Sequence, residues 1–169
     1  MKQFIQLFLS FILLFTITAC NNSSPFQRLS KNKLDQKSYA TGYGSAAQTY
    51  KDRVNETYDI DSFIRGVDHL YSNKITQSIQ QVRENTLNKM LDHNIYAYYS
   101  GILFAASLKQ NFNYLNDQCW NLIEPKSITQ GIYDAMYDLK NNKVKHNNYI
   151  SQGYDEILHL CVKKVEEAR

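Results

Sequence analysis

Apolar residues recur at three- and four-residue steps through most of the chain, which is the spacing of one face of an α-helix. The pattern predicts about six helices, beginning near residues 35, 59, 76, 96, 125 and 148. No stretch alternates apolar and polar residues as a half-buried strand does. The chain has only 2 prolines and 6 glycines, residues that helix interiors tolerate poorly. The predicted fold class is therefore all-α.

Four glycines lie inside these predicted helices and show a repeated order. Gly42 and Gly101 are 59 positions apart (101 − 42), and Gly66 and Gly131 are 65 apart (131 − 66). A nearly constant offset across two helices indicates an internal duplication, with a longer connector in the second copy. We predict a first repeat at 34–92 and a second, divergent repeat at 93–169.

The small residues predict close helix crossing. A mid-helix glycine costs about 1 kcal/mol relative to alanine, so a compensating contact is expected, with a simple kink as the alternative. Two helical hairpins with these small residues would interlock at close distance, and the large side chains beside the small residues would supply the buried apolar area. The predicted crossing or dimer interface consists of Gly42, Tyr43, Ala46, Phe63, Gly66, Val67, Gly101, Ala105 and Gly131.

The amino terminus has the layout of a secretory signal peptide, with Lys2 before an apolar run that ends near residue 19. The stretch that ends it, from Ile17 to Cys20, resembles the bacterial lipobox. That resemblance implies cleavage of 1–19 and lipidation of Cys20, and several acyl chains together anchor a protein stably. Asn21 rather than aspartate follows, as in lipoproteins sorted to the outer membrane. Residues 20–33 are predicted to be the lipidated cysteine and a flexible tether; an ordinary signal peptide is the alternative.

The remaining chemistry is sparse. In an exported chain, Cys119 and Cys161 predict one structural disulfide, with two free thiols as the alternative; no C-x-x-C pair supports redox catalysis.

Trp120 either fills the space between helices or anchors a partner. The net charge of +3 and the lack of a basic cluster argue against nucleic acid. No metal ligand set, catalytic residue or cofactor motif is predicted; the histidines are His69, His93, His146 and His159.

Two segments of the first repeat carry a family resemblance. The stretch from Lys37 to Tyr43, followed by the stretch from Ile60 to Val67, resembles the amino-terminal dimerisation domain of FKBP-type prolyl isomerases of the Mip and FkpA kind. Residues 34–92 carry it, and the second copy keeps Tyr98, Gly101 and Gly131. The β-sheet domain that catalyses isomerisation in this family has no counterpart in the sequence, so no catalytic role is carried over.

The resemblance implies an interlocked, helix-mediated dimer in the bacterial envelope. We expect either a homodimer or two repeats that interlock within one chain. The expected function is a non-catalytic scaffold or chaperone at the outer membrane, facing the periplasm. Its expected partners are a Mip-like isomerase, an envelope disulfide oxidoreductase or unfolded exported proteins. The alternative is a surface or structural lipoprotein that binds a host or envelope component, with a role in virulence but none in folding.

Overall fold

The computed structural model describes residues 26–87, 91–145 and 148–167. Over these residues the protein is helical, with no β-strand, and the all-α prediction is confirmed. Two short 3₁₀ turns, Lys31–Lys33 and Cys119–Leu122, accompany the α-helices. In chain order the α-helices are α1 (Gln36–Tyr50), α2 (Ile60–Tyr71), α3 (Ile79–Thr86), α4 (His93–Leu115), α5 (Pro125–Lys140) and α6 (Asn148–Glu167).

Local sequence explains where several of the helices begin. Asp35 caps α1 by accepting a hydrogen bond from the Ser38 amide, and Asp59 caps α2 through the Ser62 amide. Glu124 caps α5 in the same way, just before a proline at the first helical position. At α3, Ser78 and Gln81 form a reciprocal capping box. These side chains satisfy backbone N–H groups that the first helical turn leaves unpaired.

The helices pack chiefly across the two predicted repeats, which we call the first half (34–92) and the second half (93–169). Helix α1 of the first half packs against α5 and α6 of the second. Helix α2 packs against α4 and α5, and α3 packs against α4. The core is consequently shared between the halves.

The structure differs from the predicted tether at residues 26–33. Phe26 is 5% exposed and lies against the Tyr133 ring, and Arg28 pairs with Asp134. The Leu29 amide also donates a hydrogen bond to the Gln130 side chain. This segment therefore packs along α5. The apolar Phe26 side chain buries its ring against that helix, which a tether made only of polar residues could not do.

Two helix starts differ from the sequence prediction: α3 begins at Ile79 rather than near residue 76, and α4 begins at His93 rather than near residue 96. Helix α3 is only 8 residues long, and Leu87, which follows it, is 77% exposed. Helix α4 runs to Leu115.

Candidate functional site

The first close crossing joins α1 to α5 through Gly42 and Gly131. A Cβ added at Gly42 would lie 2.2 Å from the carbonyl oxygen of Ile128 on α5. A Cβ added at Gly131 would lie 2.0 Å from the carbonyl oxygen of Tyr39 on α1. Each glycine thus faces the carbonyl of the residue three positions before the other glycine. The backbones approach so closely that neither position has room for a side chain.

The second close crossing joins α2 to α4 by the same rule. A Cβ at Gly66 would lie 2.1 Å from the carbonyl oxygen of Tyr98, and one at Gly101 would lie 2.0 Å from that of Phe63. Phe63 and Tyr98 again precede the opposing glycines by three positions. The repeat offsets that relate Gly42 to Gly101 and Gly131 to Gly66 also relate Ile128 to Phe63 and Tyr39 to Tyr98. The two crossings therefore have equivalent contacts.

Reciprocal hydrogen bonds tie the starts of α1 and α5 together. The Asp35 amide donates to Ser127 Oγ at 2.9 Å, and the Glu124 amide donates to Ser38 Oγ at 2.8 Å. Both serines are fully buried. Each bond satisfies the amide of one helix's N-cap residue with a side chain from the other helix. We call these two bonds the cap staple.

Tyrosines make a second set of polar contacts at the crossings. Tyr39 Oη donates to Asp134 at 3.0 Å across the first crossing, and Tyr98 Oη lies 3.0 Å from His69 Nδ1 across the second. Tyr39 and Tyr98 occupy the same repeat position, and His69 matches Asp134. Burial raises the pKa of Tyr39 and of Tyr98, and the Asp134 carboxylate raises that of Tyr39 further. These hydroxyls therefore stay protonated as hydrogen-bond donors at neutral pH.

Tyr43 adds a contact that belongs to the first crossing alone. Its hydroxyl donates to Asp138 at 2.8 Å and accepts from the Lys145 amide at 2.8 Å. Burial raises the pKa of Tyr43 to about 12, the Asp138 carboxylate adds to the rise, and the Lys145 amide opposes it. The residue at this position in the second repeat is Ile102, which is equally buried.

Every side chain predicted at the crossing or dimer interface is buried within this single chain. Tyr43, Ala46, Phe63, Val67 and Ala105 are each no more than 1% exposed. All five belong to the core that the two halves share. The faces that the sequence assigns to crossing are thus occupied by the chain itself.

The cysteines fasten the last helix to the connector before α5. Cys119 and Cys161 form a disulfide, with Cα atoms 5.2 Å apart. Cys161 is on α6, and both residues are fully buried. Nearby, the Trp120 ring lies 4.9 Å from Tyr71 and 6.3 Å from Phe112, filling the space between α2 and α4. The lipidation site predicted at Cys20 lies outside the described residues.

A surface groove runs along the exposed side of α1. Its first section, about 250 Å³, lies between α1, α4 and α6; a second, about 480 Å³, lies between α1 and α6. A third section of about 270 Å³ reaches Leu139 and Lys145. Gln48 lines all three sections, so we treat them as one feature, the α1 groove. The sequence alone does not indicate this groove, because its lining comes from separate segments whose spacing carries no motif.

Within 26–87, 91–145 and 148–167, no group of three or more potential ligands is placed to hold a metal ion. No helix in those ranges is both long enough and apolar enough to cross a membrane. His146 lies outside them.

Comparisons with known proteins give a family and a relative. A family model described as "Uncharacterised lipoprotein" matches residues 32–163. A curated protein from Haemophilus influenzae, described as "Uncharacterized protein", is 40% identical over 138 residues, covering 80% of this chain and 78% of the relative. No solved structure matches. Neither description refers to a Mip-type or FKBP-type protein.

Proposed function

The chain belongs to this lipoprotein family and is therefore a membrane-anchored protein of the cell envelope; we propose that it is a non-catalytic scaffold of the Mip-like kind. In this proposal the two halves form an internal pseudo-dimer. In this proposal Cys20 carries the lipid, and the helical body faces the periplasm from the outer membrane. The body assists the folding of exported proteins. It does so by holding unfolded clients or folding enzymes near the membrane.

The pair of equivalent glycine crossings is the observation that carries this proposal. The first helix of each half meets the second helix of the other half, with the same carbonyl contacts at both crossings. Two separate chains interlocked as a dimer would have this arrangement. Its presence within one chain supports a duplicated dimerisation domain. It agrees with the fold that the Mip resemblance implies.

Burial of the crossing faces favours one class of partner over another. A Mip-like isomerase or a disulfide oxidoreductase with a matching helical domain would have to displace these faces to pair with them. Unfolded clients need only the exposed apolar surface. Such surface lies at the end of α4, where Tyr114 is 86% and Leu115 is 49% exposed, and on α6, where Val162 is 49% exposed. We therefore propose clients as the main partners.

An aggregation assay tests this function. Purified protein is added to an unfolded substrate, and light scattering is followed with time. We expect the protein to delay aggregation, and a Tyr114→Ser/Leu115→Ser variant to lose most of the protection. Leu87→Ser is the matched control, because Leu87 is 77% exposed just after the end of α3, on a different part of the chain.

Equal scattering with and without the protein would contradict the chaperone role. That result would favour a lipoprotein that binds a host or envelope component. A pull-down from detergent-solubilised envelope then identifies the partner, and recovery of a folding enzyme would favour the scaffold role.

A further inference from the structure

The segment before α1 lies along α5 and has a direction. The Leu29 amide donates to the Gln130 side chain at 2.7 Å, and the Phe26 ring lies 6.3 Å from the Tyr133 ring. Three positions back along the segment therefore correspond to three positions forward along α5. Followed toward the amino terminus, the segment thus approaches the carboxyl end of that helix.

The remaining distance to the predicted lipid is short. Cys20 precedes Phe26 by six residues (26 − 20), and six residues span at most about 22 Å. Lys140, the last residue of α5, is seven residues beyond Tyr133 (140 − 133), which is about 10 Å at the usual helical rise. A lipid on Cys20 therefore holds the membrane surface within reach of this end of the fold.

Helix α1 ends on the same side of the molecule. The Tyr39 hydroxyl donates to Asp134 and the Tyr43 hydroxyl donates to Asp138, so α1 and α5 advance in one direction. The third section of the α1 groove extends from the end of α1 to the loop after α5. We call the surface formed by these two helix ends the lysine end. Its lysines are Lys51, Lys140, Lys143 and Lys145.

The lysine end combines positive charge with apolar groups. Its nearest acidic residues in the sequence are Asp52 and Asp138, so four lysines and two carboxylates leave a balance of +2 (4 − 2). Residues 139–154 include no acidic residue. Half-buried Leu139 and Val144 line the groove section between the lysines. Lysines that extend from an apolar surface suit the headgroup boundary of a membrane.

We propose that the lysine end rests on the membrane that holds the Cys20 lipid, and that its lysines bind the phosphate groups of anionic phospholipids. The negative potential of such a surface attracts nearby lysines. Because the anchor already keeps the protein at the surface, these contacts need only orient it. The proposal rests on the lipidated Cys20 of the proposed function and not on the chaperone role.

The opposite end of α5 provides the comparison that the test needs. Lys126 is exposed on the first turn of α5, and Lys33 precedes the bond between the Asp35 amide and Ser127. Followed toward Cys20, the segment before α1 leads away from this end. The two ends therefore have lysines in common and differ in their expected distance from the membrane.

Lysine acetylation of the anchored protein tests the proposal. The protein is placed on vesicles of phosphatidylcholine, alone or mixed with phosphatidylglycerol, and treated briefly with a membrane-impermeant reagent. Mass spectrometry then gives the labelling of each lysine. We expect labelling of Lys140 and Lys143 to fall about fivefold on the anionic vesicles, the effect of one lysine near such a surface, and to recover in about 1 M salt. Labelling of Lys126, the matched control, should be equal on both vesicles.

Two double variants that lose the same charge sharpen this test. In Lys140→Gln/Lys143→Gln, the anionic vesicles should protect Lys51 far less than in the wild type. In Lys33→Gln/Lys126→Gln, the protection of Lys51 should remain. Circular dichroism checks that both variants fold.

Three results would overturn the proposal. They are equal labelling of the lysine end on both vesicles, equal protection of Lys126, and protection of the lysine end by inorganic phosphate alone in a zwitterionic detergent. The same mass spectra report the lipid on Cys20. An unmodified Cys20 would overturn the proposed anchor and this proposal together, whereas equal labelling with a lipidated Cys20 would overturn this proposal alone. Neither result bears on aggregation suppression.

Discussion

The two halves of the molecule share their crossings and differ most in their third helices. In both, an acidic residue caps the second helix and a glycine within that helix meets the other half's backbone. The third helices differ: α3 has 8 residues and only Val82 buried, whereas α6 has 20 residues and a disulfide. Only one serine of the cap staple recurs: Ser62 stands at the position of Ser127, but Ala97 stands at the position of Ser38. The repeated features are thus those that close backbone contact requires.

Removing the disulfide should have the largest effect and should act on the half that has it. Cys119 and Cys161 are 42 positions apart, and closing such a loop stabilises a fold by about 4 kcal/mol in the loop-entropy estimate. We expect the Cys119→Ser/Cys161→Ser variant to lose stability of this order, with amide exchange rising most in α6. Urea unfolding of both forms gives the first number. An unchanged midpoint would show that the bond contributes nothing to the fold.

Filling the crossings should have nearly the same effect in both halves. Gly42→Ala and Gly101→Ala each place a methyl against a carbonyl oxygen, so the helices must separate. We expect each to destabilise the fold by about 3 kcal/mol, the upper part of the usual range for overpacking. Thermal unfolding followed by circular dichroism measures both.

Gly44→Ala is the control for Gly42→Ala on the same helix. An added Cβ there would meet only the Ile150 side chain, at 3.4 Å. Alanine also favours the helix by about 1 kcal/mol, so we expect no loss of stability. If all three variants unfold alike, close packing is not what these glycines provide.

The Ser38→Ala substitution removes one of the two hydrogen bonds of the cap staple. It also gives α1 the alanine that α4 has at the same repeat position. In Ser38→Ala the partly buried Glu124 amide loses its acceptor, which costs about 1–3 kcal/mol. We expect a loss of about 2 kcal/mol and faster hydrogen exchange at the Glu124 amide. Ser45→Ala should change stability by less than about 0.5 kcal/mol, because the Ser45 side chain is only half-buried. Slow exchange at Glu124 in Ser38→Ala would argue against the staple.

The buried tyrosines of the first crossing predict that the stability of the fold falls in alkali. Of the predictions made here, this one has the smallest effect at neutral pH. Burial raises the pKa of Tyr43 to about 12, whereas an unfolded tyrosine titrates near about 10. The folded state therefore retains a proton that the unfolded state loses, so stability is complete below pH ~10 and falls toward pH ~12. Tyr43→Phe should make this fall less steep. Tyr114→Phe, at an 86% exposed position, should leave it unchanged; equal slopes in both variants would contradict the assignment.

Periodicity and glycine spacing predicted much of this structure, because helix faces and close crossings leave local patterns. The number of helices, the helix starts near 35 and 59, and the burial of Phe63 and Val67 follow from the sequence in this way. The pairing of the helices does not follow from the sequence, since Gly42 fits a crossing in a homodimer as well as one within a single chain. The Phe26 contact and the α1 groove were also missed, because each depends on residues that only the tertiary fold brings together.

Sedimentation equilibrium of the chain without its leader and lipid tests most directly whether the halves complete each other. The internal pseudo-dimer predicts the mass of one chain across micromolar concentrations, because both crossings are satisfied within it. A mass of two chains over the same range would show that a second copy supplies the opposing helices, and would contradict the account.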